Sequence, residues 1–278
     1  MEILKHNKIC KIISEEMLDF STQLVNDYSS TGSKSKNIAK KKNNFLLSSL
    51  TKEVVVYSAL MRSLDSSLGN RMETIALKIA EASGYKVSQG VSGKISRETI
   101  NLISTLLDAY KDKNNPKKVT LDDLLLIQKS SRETEGKSKI HNSDYLLEKE
   151  KDGIKHLTLM ELKAGGDLDN KKARSEKHAI LEQYAILISK YKDEIAIGKV
   201  VVYLYFGTVY NKDSLDSGAE DWAQGSVRSF FSNDELLIGK DFWNYICDSE
   251  DGWELVKSEY AKSSIHLDKA LKQVISSV

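Results

Sequence analysis

The sequence predicts an α/β fold, a mixed central sheet flanked by helices with a helical region ahead of it, and three observations carry that prediction. Apolar residues recur at helical spacing through residues 3–128. At residue 140 the apolar period shortens to two, the spacing of strands. Asp152-Gly153 then separates two alternating runs, a strong short-range hairpin signal, and a helical pattern and a β-branched strand follow.

Ile3, Ile9, Ile12, Ile13, Met17 and Phe20 predict an N-terminal helix, which the run SKSKNIAKKKNN at 33–44 interrupts. Residues 52–83 read as one or two helices, with Met72, Ile75, Ala76 and Ile79 as an apolar stripe and Gly84 as the C-cap. Ser96 precedes a helix marked by Ile100, Ile103, Leu106, Leu107 and Tyr110, and Leu121 to Gln128 make a short one. The hairpin joins Ser143–Glu150 to Lys155–Ala164; residues 172–191 are helical; Lys199 to Phe206 form a strand buried on both faces.

Composition narrows the function classes. The 41 Lys and Arg nearly cancel the 40 Asp and Glu, which excludes a whole-chain polycation and makes any nucleic-acid surface local. With 40% hydrophobic and 29% charged residues a folded body is expected. Cys10 and Cys247 stand far apart with no Cys/His cluster, against zinc fingers and disulfide scaffolds. No apolar run approaches the ~18 residues of a membrane helix, and the N-terminus carries acids where a signal peptide is basic and then apolar, so no membrane association and a cytoplasmic location are expected.

The hairpin register brings chemistry together. With Asp152 and Gly153 as the central turn residues, Ile154 opposes Lys151, Leu159 opposes Leu146, and Asp144 opposes Glu161. Lys163 shares the face of Glu161 by strand alternation. Two carboxylates so close call for a positive partner, and Mg2+, with Mn2+ as its substitute, suits an oxygen set of Asp144, Glu161 and the Leu162 carbonyl. A cation there polarises a phosphate and activates water while Lys163 orients that water or stabilises negative charge, which is the chemistry of phosphodiester hydrolysis. His141 and His156 lack metal-ligand spacing, and His156 falls off the Glu161 face.

Asp144 followed by Glu161-Leu162-Lys163 resembles the PD-(D/E)XK nuclease signature, with Asn142-Ser143-Asp144 in place of the nominal Pro-Asp. The stretches 61–85, 160–187 and 222–246 resemble type II restriction endonucleases, in particular the TdeIII-type branch. That resemblance implies a restriction-endonuclease-like core, Mg2+-dependent cutting of double-stranded DNA at a short palindrome of the GGNCC type, a homodimer and a cognate DNA methyltransferase. The chain then divides into 1–50, a helical segment with a basic arm that lies outside the resemblance and is read from composition alone, and 51–278, the nuclease domain. Within the latter, 51–139 is mainly helical, 140–209 is the catalytic hairpin-helix-strand core, and 210–278 is a recognition and dimer region. A structure-directed repair or recombination nuclease and a noncatalytic DNA-binding protein are the rival readings.

Glu73, Glu176 and Gln183 are auxiliary candidates for the site, against the plainer readings of surface or core helix residues. Lys171, Lys172 and Arg174, at a helix start where the dipole disfavours cations, are candidate phosphate contacts with Asn170. Asp167 and Asp169 either accept from cytosine or cap the helix. Lys34, Lys36, Lys40, Lys41 and Lys42 form either a DNA-binding arm or a solvated loop, as do the lysines of 111–118. Gln224, Ser226 and Arg228 carry groups suited to reading bases.

Overall fold

The computed structural model describes residues 1–29, 31–34, 43–110, 121–131, 137–166 and 168–276, with backbone alone at positions 48, 52, 53, 56, 59, 121 and 137–144. They divide into two compact units, 1–82 with 249–278, and 83–248. No helix among the described residues is long and apolar enough to cross a membrane.

The first unit packs helix α1 (Ile3–Tyr28) against α3 (Lys52–Ala82) and α10 (Gly252–Ser276), with the short α2 (Phe45–Ser48) beside α3. Ile9, Ile13, Met17, Phe20 and Leu24, at the predicted spacing, form the buried stripe of α1. Arg71 of α3 clamps α1, reaching Glu16 at 2.5 Å, Asp19 at 2.9 Å and Gln23 at 3.0 Å. Burial pushes the Glu16 carboxyl up, but the bonds from Lys78 and Arg71 prevail and hold it below the ordinary carboxylate value. Lys34 turns back onto Asp27 and Ser67, at 3.0 and 3.2 Å.

The second unit is built on a sheet ordered β1-β2-β3-β4-β5. Its strands are β1 (Lys86–Ile95), β2 (Lys137–Lys151), β3 (Ile154–Lys163), β4 (Val200–Thr208) and β5 (Leu236–Ile238). β1, β2 and β3 pair antiparallel, and β4 and β5 add parallel, which makes the sheet mixed. Helices α4 (Arg97–Ala109), α5 (Leu121–Ser130), α6 (Asn170–Lys190), α7 (Lys192–Ala196), α8 (Gly225–Arg228) and α9 (Lys240–Ile246) surround it. The β2–β3 register is the one expected: Lys151 opposes Ile154, Leu146 opposes Leu159, and Tyr145 opposes Met160. Asp152 and Gly153 both have positive φ, 53° and 71°, as a two-residue turn of right-handed twist requires.

Alternation along β3 assigns its faces. Leu157, Leu159 and Glu161 share the face buried with Ile180 and Tyr184 of α6 and with Leu204 and Phe206 of β4. Burial of each large side chain in this layer contributes about 1.5–3 kcal/mol. The other face carries Thr158, whose hydroxyl is 2.6 Å from that of Tyr245 on α9, and His156, which stacks on Tyr203. β1, β5 and α10 go beyond the elements expected from the sequence; 52–82 is a single helix, and β2 starts before Ser143.

Candidate active site

The site lies where β2 and β3 part. Their ladder ends at Tyr145–Met160, while β2 continues against β1 as far as Lys137. Between Gln89–Tyr145 and Val91–His141 the register shifts, so that Gly90 alone on β1 faces Asn142, Ser143 and Asp144. Such a bulge bends a strand and re-aims its residues, and here it falls on the segment of Asp144. The Asp144 side chain lies outside the described residues, and the expected Asp144–Glu161 opposition is one step past the last pair.

Glu161 is 1% exposed, two residues before Lys163 at the C-terminal end of β3, and the two side chains are in direct contact. Lys163 Nζ is also 3.6 Å from Glu176 Oε1 on α6. Burial first, and the negative charge of Glu161 second, push the Glu176 carboxyl above its ordinary value; Lys163 opposes both. Gln183, two turns further along the same face of α6, is fully buried, and its side-chain amide donates to the Ala179 carbonyl at 3.4 Å. Of the auxiliary candidates the structure therefore brings Glu176 to the pair. Glu73 belongs to α3 of the first unit.

Main-chain geometry orients one more oxygen. Lys155 N–H donates to Lys199 and the Lys163 carbonyl accepts from Val209, so odd-numbered residues of β3 direct their peptide groups toward the β4 side. Alternation then turns the Leu162 carbonyl toward β2, beyond the last β2–β3 pair. Among the described residues no three His, Cys, Asp or Glu side chains form a metal-holding group. The donors that are present, a buried carboxylate and a carbonyl aimed into the fork, are hard oxygens and fit a hard divalent cation in kind.

The turn after Lys163 is tightly constrained. Gly166 has φ of 70°, and a Cβ there would stand 2.7 Å from Thr208 and 2.9 Å from Trp222. Helix α6 then starts at Asn170 with Asp169 as its N-cap, accepting from the Lys172 amide at 2.8 Å, which is the capping alternative for that residue. Lys171 and Lys172 are exposed, and Arg174 reaches Asp108 of α4 at 2.8 Å. Asn170, Lys171 and Arg174 line a cavity of about 640 Å³ with Ser175, His178 and Glu182.

The loop between β4 and β5 holds the remaining candidates. Gln224, the N-cap residue of α8, and Ser226, within it, are half-buried. Arg228 Nε donates to the Trp222 carbonyl and Nη1 to Asn233 Oδ1, both at 2.6 Å, and Nη2 contacts the Ala219 carbonyl. Those bonds occupy the guanidinium edge that guanine reading needs, so in this conformation Arg228 fastens the loop. Lys36, Lys40, Lys41, Lys42, Asp167 and the basic stretch 111–118 lie outside the described residues. The bulge at 142–144 escapes sequence reasoning; its signal is the alternation of Val87, Val91 and Ile95 around Gly90, which marks β1.

A buried acid-x-lysine pair at the open end of a hairpin, backed by a helix, is chemically able to contribute an oxygen to a cation and a positive charge to a phosphate. A family model described as type II restriction endonuclease, HinfI, matches residues 5–264. No curated protein and no solved structure matches the chain. A match over nearly the whole length places the chain in the HinfI family of type II restriction endonucleases, site-specific deoxyribonucleases acting on double-stranded DNA.

Proposed function

We propose that the chain is a Mg2+-dependent restriction endonuclease that cuts a short palindromic site as a homodimer, with Asp144, Glu161 and Lys163 as its hydrolytic unit. The observation that supports this most is the contact of buried Glu161 with Lys163, with Glu176 at 3.6 Å from the same ammonium. Asp144, Glu161 and the Leu162 carbonyl would hold the cation, and Mn2+ would serve in its place. When bound, the cation supplies charge neutralisation and a water of lowered pKa.

The chain's own residues do the rest. Lys163, held between carboxylates, presents positive charge to a scissile phosphate and stabilises the charge that develops on it. Glu176, with its tightened hold on a proton, restrains Lys163 from the α6 side. Lys171 and Lys172, exposed at the start of α6, supply phosphate contacts with Asn170 and Arg174. Asp167 and the lysines 34–42 are further proposed contacts with DNA, and Gln224 and Ser226 are the proposed readers of bases. A palindrome offers two equivalent strands, which a twofold-symmetric dimer reads most simply. Such an enzyme acts in the cytoplasm, beside a methyltransferase that protects the same site.

Incubation with a plasmid of known sequence and Mg2+ tests the reading. Discrete fragments are expected, and their ends give the site; a GGNCC-type sequence follows from the TdeIII-like stretches 61–85, 160–187 and 222–246. Cutting confined to branched or single-stranded DNA would favour a repair nuclease, and binding without cutting a noncatalytic protein.

A further inference from the structure

Lys177, next in sequence to Glu176, is fully buried, an unusual place for an ammonium group. Its Nζ donates to Glu235 Oε1 at 2.6 Å and lies 4.6 Å from the centre of the Phe231 ring. Glu235 is itself buried, and its second oxygen accepts from the Ser232 amide at 2.9 Å, closing a capping box on the turn before β5. Asp123 of α5, buried and bonded to the Tyr110 hydroxyl at 3.1 Å, adds negative charge toward the same ammonium. Burial pushes the Lys177 ammonium below its ordinary value, and Glu235 and Asp123 oppose that shift.

The pair is placed where it bears on the site. Glu161 on β3 is in register with Phe206 on β4, and Phe206 with Leu236 on β5, the residue after Glu235. The bond from Lys177 to Glu235 therefore fastens α6 to the sheet at the level of Glu161, from the core side of the helix. Glu176, one residue back and about 100° around the helix, is thereby set against Lys163.

We propose that Lys177 and Glu235 are positioning residues for DNA cleavage: their buried pair fixes the rotation and height of α6, and so the place of Glu176 beside Lys163 and Glu161. The proposal rests on the reading of Glu161 and Lys163 as hydrolytic. Removing one partner leaves a buried charge and destabilises strongly, whereas an apolar pair of similar volume is commonly tolerated. The discriminating variant is therefore Lys177→Met with Glu235→Leu, which keeps the volume and removes the directional bond, together with the cap on the Ser232 amide.

The experiment compares this double variant with wild type and Glu161→Gln on a DNA fragment carrying the mapped cut site. Measured are the single-turnover cleavage rate at saturating enzyme in Mg2+, the affinity in EDTA, and the thermal midpoint. Expected is a rate about 10- to 100-fold lower, the scale of a sub-ångström to 1 Å misplacement, with affinity within about threefold of wild type and a midpoint lowered by no more than the few degrees that losing the Ser232 cap explains. A folded double variant cutting within about twofold of wild type would overturn the proposal. If the double variant does not fold, Glu235→Asp decides, since it keeps the charge and withdraws the oxygen by one methylene. A lowered rate at unchanged affinity then supports positioning, and an unchanged rate overturns it. Wild-type cutting by Glu161→Gln would instead remove the reading of the site beneath the proposal, so the two failures are distinguishable.

Discussion

Lys163 on β3 stands between carboxylates from two elements, touching Glu161 of its own strand and lying 3.6 Å from Glu176 of α6. One ammonium thus offsets the repulsion of two acids, and the acid on the helix still holds its proton more tightly than an exposed glutamate. Carboxyls perturbed in this way by burial and a like charge cluster at functional sites.

That relationship has a pH signature. The Glu176 carboxyl is raised in the folded chain above its unfolded value, so stability is fully present below the unfolded value and declines as pH rises through the raised one. Glu176→Gln removes the decline. In EDTA, the thermal midpoint of Glu176→Gln relative to wild type is expected to be higher near pH 7 than near pH 4. A difference independent of pH would contradict the assigned burial of the carboxylate.

The start of α6 is expected to set the salt dependence of DNA binding. Lys171 and Lys172 are exposed, whereas Arg174 is bonded to Asp108. Replacing both lysines by Ala should flatten the slope of log affinity against log salt by about two, and adding Arg174→Ala should change it less. An unchanged slope in the double variant would place both lysines away from DNA.

Arg228 is expected to matter for stability rather than for sequence choice. Its loss strands the part-buried Trp222 and Ala219 carbonyls and gives up the exposed bond to the Asn233 amide oxygen. Arg228→Ala should lower unfolding free energy by about 1–3 kcal/mol in urea titration while the fragment pattern stays the same. New cut sites in that variant would return Arg228 to base reading.

Oxygen donors at the fork give the metal prediction. Cutting should require Mg2+ or Mn2+ and stop in EDTA. Ca2+, larger and with looser geometry, should support specific binding without cutting. Cleavage by metal-stripped protein in EDTA would set the oxygen site aside.

The hairpin is legible in the sequence because Asp-Gly fixes a two-residue turn and the turn fixes the register, so strand alternation alone puts Glu161 and Lys163 on one face. Helix α6 is legible from its apolar period and its polar start. β1 is hidden because glycines at 90 and 93 dilute its alternation; a Cβ at Gly93 would collide with Ile186 of α6, so packing dictates that dilution. Register arithmetic holds only as far as Tyr145 for a related reason, since the bulge opposite Gly90 depends on a neighbour strand that a single hairpin does not contain. The bonds that hold Arg228 are hidden in the sequence because two of its partners, main-chain carbonyls at 219 and 222, leave no mark in side-chain chemistry. Lys177 resembles one more cation of a basic run, and only the fold reveals Glu235 across from it.

Plasmid cleavage in Mg2+ by Glu161→Ala and Lys163→Ala beside wild type, with DNA affinity measured in EDTA, tests whether the Glu161–Lys163 pair is hydrolytic. Groups acting as one unit lose nearly everything singly, so each variant should cut several orders of magnitude more slowly while binding DNA about as tightly as wild type. Near-wild-type cutting by Glu161→Ala would show that the pair is not hydrolytic.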